Sequence, residues 1–175
     1  MQRILVGGIT GVGKTTFARS LSRRLGLPYH DMDAMYHGPN WQPISSFDAD
    51  VAQIVATPRW IFDSDGYRSV RDLMWGRADA VIWLDFSRTV VMSRVLRRSA
   101  LRALGHEPIF NGNVETFRDW LDPEHPVQWA WTQYAHRRQA MLRRFADPSY
   151  AQVRRICIRK PQAADEWLAN VSAGA

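Results

Sequence analysis

The chain has 175 residues, enough to bury one hydrophobic core and few for two domains. Hydrophobic residues make up 46% and charged residues 23%, which excludes wholesale disorder and predicts one domain over residues 1–175. The sequence has no apolar run long enough for a spanning helix, and its single cysteine, Cys157, excludes a disulfide framework. We therefore expect a cytoplasmic protein without a membrane partner, with Cys157 in the core of a strand.

The net charge of +6 is unevenly distributed along the chain. Residues 1–85 hold nine basic and nine acidic side chains, whereas residues 86–160 hold fourteen basic and six acidic ones. All but two of the basic residues are arginine, whose fork suits phosphate groups better than an ammonium does. The composition fits either a nucleic-acid binder or a protein that handles small polyanions.

Hydrophobic periodicity predicts alternating strands and helices. A short apolar strand, residues 3–6, runs into glycines, and the helix that follows, residues 14–25, has its apolar residues on one face. Further strands are predicted at residues 27–31, 60–63, 80–84 and 153–158. Further helices are predicted at residues 47–56, 68–76, 87–103, 127–145 and 163–171. Residues 104–126 lack periodicity and predict an excursion from the domain. The alternation favours an α/β fold with a parallel sheet covered on both faces.

The segment from Gly8 to Thr15, GITGVGKT, matches the Walker A pattern G-x-x-x-x-G-K-[ST] between the first strand and the first helix. Its glycines allow backbone N–H groups to surround phosphates, Lys14 neutralises them, and the Thr15 hydroxyl is the expected Mg²⁺ ligand. We therefore predict ATP and Mg²⁺ as cofactors. The expected nucleotide-binding residues are Gly8, Thr10, Gly11, Val12, Gly13, Lys14, Thr15 and Thr16.

Other P-loop classes fit less well. No N-K-x-D motif is present for reading guanine, and the fourth predicted strand ends in Asp85-Phe86 rather than the Asp-Glu of motor ATPases.

Several further blocks of sequence resemble the adenylate-kinase-like branch of P-loop kinases, which includes the shikimate and gluconate kinases. The blocks are DMDAMY at residues 31–36, PNW at 39–41, RD at 71–72, RAD at 77–79, WLD at 83–85, NGNVE at 111–115, DPEH at 122–125 and WAW at 129–131. They are most similar to small bacterial proteins labelled DNA topology modulation proteins or adenylate-kinase-like ATPases. The resemblance covers nearly the whole chain. It implies a P-loop three-layer sandwich, a five-stranded sheet in the order 2-3-1-4-5, and a lid at about residues 104–126.

The resemblance also implies roles for individual residues. Arg94 and Arg98, four residues apart on one helix face, resemble the lid-base pair that contacts the nucleotide. Either Arg137 or Arg138 resembles a returning lid arginine that holds phosphate. Asp33 stands where shikimate and gluconate kinases place the carboxylate that meets the acceptor hydroxyl. A loop aspartate that caps a helix is the alternative for Asp33, and a solvated basic face is the alternative for the arginines.

The turn after the third strand departs from the family pattern. Relatives have one residue fewer there, so either Asp63 or Asp65 fills the acidic position on the substrate side, and Arg71 is expected beside it. Lys14, Asp33, Arg94, Arg98 and Arg137 are the expected catalytic residues.

The sequence predicts an ATP-dependent kinase that transfers the γ-phosphoryl group to a small-molecule or nucleotide acceptor. The main alternative is a nucleotide-gated regulatory or DNA-associated ATPase, supported by the family label and the positive charge. An ATP-binding protein with little catalysis is a third possibility. The identity of the acceptor and the oligomeric state are left open.

Overall fold

The computed structural model describes residues 1–105, 108–109, 113–114, 122 and 125–172. The strands are β1 (Arg3–Gly7), β2 (Tyr29–His30), β3 (Trp60–Phe62), β4 (Ala80–Leu84), β5 (Pro108–Ile109), β6 (Asn113–Val114) and β7 (Arg154–Ile158). Five of them form a parallel sheet in the order β2-β3-β1-β4-β7. The predicted strand order 2-3-1-4-5 is thereby confirmed. In the described part of the chain, β5 and β6 pair with each other, antiparallel. Most of the predicted lid at about residues 104–126 lies outside the described residues.

The helices alternate with the strands as predicted, with one addition. They are α1 (Lys14–Leu25), α2 (Met32–Tyr36), α3 (Phe47–Ala56), α4 (Arg71–Arg77), α5 (Arg88–Gly105), α6 (Pro126–Ala146) and α7 (Pro161–Asn170). The sequence did not predict α2, because a helix of five residues is too short to show a periodic pattern of apolar residues. The predicted start of α4 at residue 68 is wrong by three residues, since Gly66 has a φ of 92° and the chain turns once more before the helix begins.

Side chains of the central strands alternate between two hydrophobic cores, one on each face of the sheet. Ile4 and Val6 of β1 pack with α1, α5 and α7, whereas Leu5 between them packs with α3 and α4. The period of two follows from the pleat of a strand. Because both faces are covered, β3 and β4 are buried along their whole length and β1 is buried from Ile4 onward, as the parallel-sheet prediction required.

Helix α6 crosses from one core to the other. Ala130, near its start, belongs to the core shared with α1 and α5, and Met141, near its end, belongs to the core shared with α3 and α4. The helix therefore spans the carboxyl ends of the strands, the edge at which parallel α/β sheets bind ligands.

The prediction for Cys157 is wrong, because its side chain is exposed. It lies on β7, which has only β4 as a neighbour in the sheet, so the strand is not enclosed by partners on both sides. Among the described residues, no helix is long and apolar enough to cross a membrane.

Candidate active site

The loop between β1 and α1 has the backbone geometry that its glycines predict. Gly8, Gly11 and Gly13 all have positive φ angles, of 146°, 78° and 101°. At Gly11 a side chain would also collide with α5, since a Cβ there would lie 2.0 Å from Cγ2 of Val95. Glycine is therefore required at Gly11 both by backbone conformation and by the close approach of the helix.

The amino terminus of α1 is open to an anion. Its N-cap residue, Gly13, supplies no side-chain hydrogen bond, and the first turn contains no acidic residue. The Lys14 ammonium donates to the carbonyl of Ile9 at 3.3 Å and so lies across the loop. Unpaired helical N–H groups, the positive end of the helix dipole and an adjacent ammonium together suit a phosphate group.

Asp63, at the end of β3, faces the P-loop. The Thr15 hydroxyl donates to its Oδ2 at 2.6 Å and the Tyr29 hydroxyl donates to the same oxygen at 2.9 Å. The N–H of Met32 donates to Oδ1 at 3.0 Å, and only 5% of Asp63 is exposed. Burial and the nearby Asp63 carboxylate raise the pKa of Tyr29, so this phenol remains a proton donor at neutral pH.

The donor set at Thr15 and Asp63 fits Mg²⁺. A hydroxyl oxygen and a carboxylate oxygen are hard ligands of the kind this ion prefers, and Mg²⁺ commonly takes only one or two ligands from a protein and the rest from phosphates and water. Within the described residues, there is no group of three or more His, Cys, Asp or Glu side chains arranged for a metal. The described residues therefore do not indicate a metal site whose ligands all come from the protein.

Two aspartates follow β2 and have different partners. Asp31 is the N-cap of α2, where it accepts the N–H of Ala34 at 3.1 Å, and it pairs with Arg19 at 3.4 Å. Asp33 is two residues further along, in the first turn of α2, and is exposed. Its Oδ1 accepts the Tyr67 hydroxyl at 2.9 Å. Capping is thus carried out by Asp31 and not by Asp33, which leaves Asp33 held by a tyrosine at the cavity wall.

Tyr67 is an acid that stays protonated. Burial and the adjacent Asp33 carboxylate raise its pKa well above that of a free phenol, while Arg137 has a smaller opposing effect. The phenol therefore stays protonated at neutral pH and donates its hydrogen to Asp33. This hydrogen bond fixes the direction in which Asp33 presents its charge.

Asp65 and Arg71 stand together beyond the end of β3. Arg71 Nε donates to the carbonyl of Gly66 at 2.8 Å and lies 3.9 Å from Asp65 Oδ2. The two side chains line the same cavity as Asp33. Asp63 does not, because it is turned toward Thr15, so the two aspartates of this turn have separate surroundings.

The predicted arginines are found in different parts of the site. Arg94 donates to the carbonyl of Val12 in the P-loop at 2.7 Å, and its guanidinium lies 5.2 Å from the ring centroid of Phe86. Arg98, one turn further along α5, lines the cavity. Arg137 also lines it, with its guanidinium 4.8 Å from the ring centroid of Trp129.

Arg138, adjacent to Arg137 in α6, is engaged differently. Its guanidinium donates two hydrogen bonds to the carboxylate of Asp85, at 2.8 and 2.9 Å. Asp85 follows β4 and is buried. The pair joins α6 to the end of β4, and both side chains also line the cavity.

A single cavity of about 980 Å³ joins these groups. Its lining includes Gly8, Thr10 and Lys14 of the P-loop together with Asp33, Asp65 and Arg71. Thr16, by contrast, is exposed on α1 outside the lining residues. An elongated ligand, or two ligands end to end, can therefore reach both the P-loop and Asp33 at once.

Sequence reasoning missed several residues of the cavity wall. They are His37, Trp41, Arg102, Trp129 and Tyr134. Tyr67, which also lines the cavity, ends the Asp63–Tyr67 turn, and the sequence predicts that turn as part of the acceptor pocket. Arg102 has no sequence signal, because nothing in the helical period separates it from a surface arginine.

Solved structures of small-molecule kinases are similar to the chain over almost its whole length. A gluconokinase from Sinorhizobium meliloti has a TM-score of 0.50 at 18% identity, with 99% of this chain and 94% of that chain covered. A shikimate kinase from Bacteroides thetaiotaomicron has a TM-score of 0.52 at 14% identity, with coverage of 96% and 94%. The chain has the fold of the P-loop kinases. A shikimate kinase from Acinetobacter baumannii in complex with shikimate gives 0.53 at 17% identity, with coverage of 97% and 89%. No family model and no curated protein matches the sequence itself.

Proposed function

We propose that the chain is an Mg²⁺- and ATP-dependent phosphotransferase that acts on a small-molecule or nucleotide acceptor. The observation that carries the proposal is the cavity that joins the P-loop lysine, Lys14, to the carboxylate of Asp33. The P-loop kinase fold supports it, and so do the gluconokinase and shikimate kinase among the similar structures. A nucleotide would occupy one end of the cavity and the acceptor the other.

At the nucleotide end, the loop from Gly8 to Thr15 and the first turn of α1 would hold the phosphates. Lys14 would neutralise the β- and γ-phosphates, and Arg94, which lies against the loop, would support its backbone beside them. Thr15 and Asp63 are the residues that would hold Mg²⁺, directly or through its water. The bound ion supplies positive charge against the β- and γ-phosphate oxygens.

At the acceptor end, Asp33 would orient the acceptor hydroxyl and accept its proton. The hydroxyl oxygen forms a bond to the γ-phosphorus, the bond from that phosphorus to the β,γ-bridging oxygen breaks, and ADP leaves with that electron pair. The hydrogen bond from Tyr67 keeps the carboxylate pointed into the cavity. Asp65 and Arg71 would contact the rest of the acceptor.

Positive charge around the cavity would stabilise the transferring phosphoryl group. Arg98 and Arg137 line the cavity from different helices, α5 and α6, so charge would reach the group from two sides. Well-placed arginine donors contribute about 10³- to 10⁵-fold in rate to phosphoryl transfer.

Acceptor-dependent release of ADP tests this proposal. Nucleosides, nucleoside monophosphates and hydroxy acids would be screened with ATP and Mg²⁺, and the phosphorylated product identified by mass spectrometry. We expect Asp33→Asn to lower kcat by about 10²- to 10⁴-fold while ATP still binds. The control is Asp165→Asn, which changes an exposed aspartate on α7. ATP hydrolysis that no acceptor stimulates, with inorganic phosphate as the only product, would contradict the kinase function.

A further inference from the structure

The backbone at Trp41 is strained. It is the one residue other than glycine with a positive φ in the described part of the chain, at 60°. A bulky side chain rarely adopts this conformation, because its Cβ is forced toward the neighbouring carbonyl. Such strain persists where the surroundings impose it, and it concentrates at sites that bind ligands.

The loop around Trp41 imposes that conformation. Residues 37–43 are closed at the base by an isolated antiparallel bridge between the first and the last of them. Inside the loop the N–H of Gly38 donates to the carbonyl of Gln42 at 2.7 Å, and the N–H of Gln42 donates to Pro39 at 3.2 Å. Hydrogen bonds therefore hold the backbone on both sides of Trp41. The fold, and not the conformational preference of tryptophan, sets the direction of its side chain.

The indole lies at the wall of the cavity. Trp41 is 45% exposed, whereas Trp60 and Trp75 are fully buried. Its ring meets His37 edge to face, with centroids 5.4 Å apart and an interplanar angle of 81°. The hydrophobic effect disfavours a large apolar ring facing a water-filled cavity, so a ligand that covered the ring would gain free energy from it.

The same wall carries the proposed catalytic carboxylate. The Tyr67 hydroxyl lies 2.9 Å from Asp33 Oδ1 and 3.4 Å from Nε2 of His37. His37 in turn contacts Trp41. The side chains of His37 and Tyr67 thus connect the indole to the carboxylate that would take the acceptor's proton.

We infer that Trp41 binds the acceptor and that the acceptor presents the face of a ring to its indole. This inference rests on the proposed function and narrows it. Two classes of acceptor have such a ring face. One is a hydroxylated carbocycle or sugar ring, and the other is a nucleoside base. An open-chain hydroxy acid has no such face and would leave the indole in water.

Thermal unfolding tests the strain. Trp41→Asn replaces the indole with a side chain that tolerates a positive φ. Relief of the backbone strain then offsets the loss of the indole's contacts. We expect the midpoint of thermal unfolding to stay within about 2 °C of the wild-type value. A matched control is Trp131→Gln, which removes an indole that is 54% exposed and lies outside the cavity. A fall of more than about 5 °C in Trp41→Asn alone would make Trp41 a structural residue and overturn the inference.

Ligand binding and phosphoryl transfer test whether the acceptor presents a ring to Trp41. Adenosine, shikimate and D-gluconate would be offered to the ADP-loaded protein in saturation-transfer NMR, and to the ATP-loaded protein in the ADP-release assay. We expect adenosine or shikimate to bind, D-gluconate to bind more weakly, and Trp41→Asn to weaken the ring probe by about tenfold, with Trp41→Phe in between. Equal binding by wild type and Trp41→Asn, or preference for D-gluconate, would overturn the inference. Ring binding that depends on Trp41 without any transfer would support it and contradict the kinase function instead.

Discussion

The Thr15 hydroxyl and the Asp63 carboxylate lie 2.6 Å apart, although 48 positions separate them in the sequence. The first turn of α1 and the end of β3 are brought together because β1 and β3 are parallel neighbours in the sheet. The contact joins the two elements that a bound magnesium nucleotide would touch.

Replacing Asp63 with asparagine should weaken the response to magnesium. The amide preserves the shape of the side chain but removes the charge that faces Thr15. Because outer-shell partners of a metal commonly contribute 10- to 100-fold in affinity or activity, we expect the Mg²⁺ concentration at half-maximal turnover to rise by about that factor. Asp165→Asn is the control. A Mg²⁺ titration that superimposes on the wild type would contradict the role given to Asp63.

The adjacent residues Arg137 and Arg138 should give opposite results when each is changed to alanine. Both arginines line the cavity. Arg137 is the one proposed to face the transferred phosphoryl group, so Arg137→Ala should lower kcat by about 10- to 10³-fold and leave thermal stability unchanged. Arg138 pairs with the buried Asp85, so Arg138→Ala should lower the free energy of unfolding. We expect about 1–3 kcal/mol, less than for a fully buried pair, because Arg138 is 37% exposed at its side chain.

Thermal unfolding and steady-state kinetics of the two variants distinguish these roles. If Arg137→Ala melts early and Arg138→Ala melts like the wild type, the assignment of the two arginines is reversed. If both variants keep full activity, neither arginine faces the transferred phosphoryl group.

Asp79 should make stability depend on acidic pH. Burial alone would raise its pKa, but hydrogen bonds from the Arg3 side chain and from the N–H groups of Gln2 and Arg3 outweigh burial and hold the pKa below its usual value. A lowered pKa in the folded state stabilises the protein above the unfolded value, about pH 4. That contribution is lost as the pH falls through the folded value.

Urea unfolding at two pH values checks the Asp79 prediction. At pH 7 we expect Asp79→Asn to cost about 1–2 kcal/mol. At an acidic pH below the lowered pKa of Asp79, where the wild-type side chain is also protonated, the two proteins should unfold almost alike. A cost that is the same at both pH values would show that packing of the side chain matters and its charge does not.

Short-range patterns made most of the fold predictable. The glycines and Lys14 of the P-loop follow one another in sequence, and the apolar run of β4 has one interpretation, a strand buried on both faces. The strand order was available only through the family resemblance, because pairing between β1 and β3 joins segments that are far apart in the chain.

The arrangement of the site was less predictable, because it depends on which way each side chain turns. Asp63 and Asp65 are two positions apart, and the sequence left open which one fills the acidic position. The structure turns Asp63 toward Thr15 and Asp65 toward the cavity. The strain at Trp41 also has no sequence signal, since tryptophan gives no indication of a positive φ.

The surplus of arginine has a structural explanation that composition could not supply. Several arginines donate to backbone carbonyls at the ends of elements, as Arg24 does to Val171 at the end of α7 and Arg155 does to Tyr150. Others lie over aromatic rings, as Arg144 does over Trp75. Arginines with such partners within the fold are not evidence for a nucleic-acid surface. The DNA-associated ATPase therefore stays a prediction.

Nucleotide affinity is the most direct test of the account. Isothermal titration calorimetry would compare Mg²⁺-ATP binding to the wild type, Lys14→Ala and Lys160→Ala, the last being a control at the only other lysine in the chain. We expect Lys14→Ala to lose about 10- to 100-fold in affinity, the size of a charge-assisted hydrogen bond, and Lys160→Ala to bind like the wild type. Equal affinity in wild type and Lys14→Ala would contradict the assignment of the Gly8–Thr15 loop as a nucleotide site.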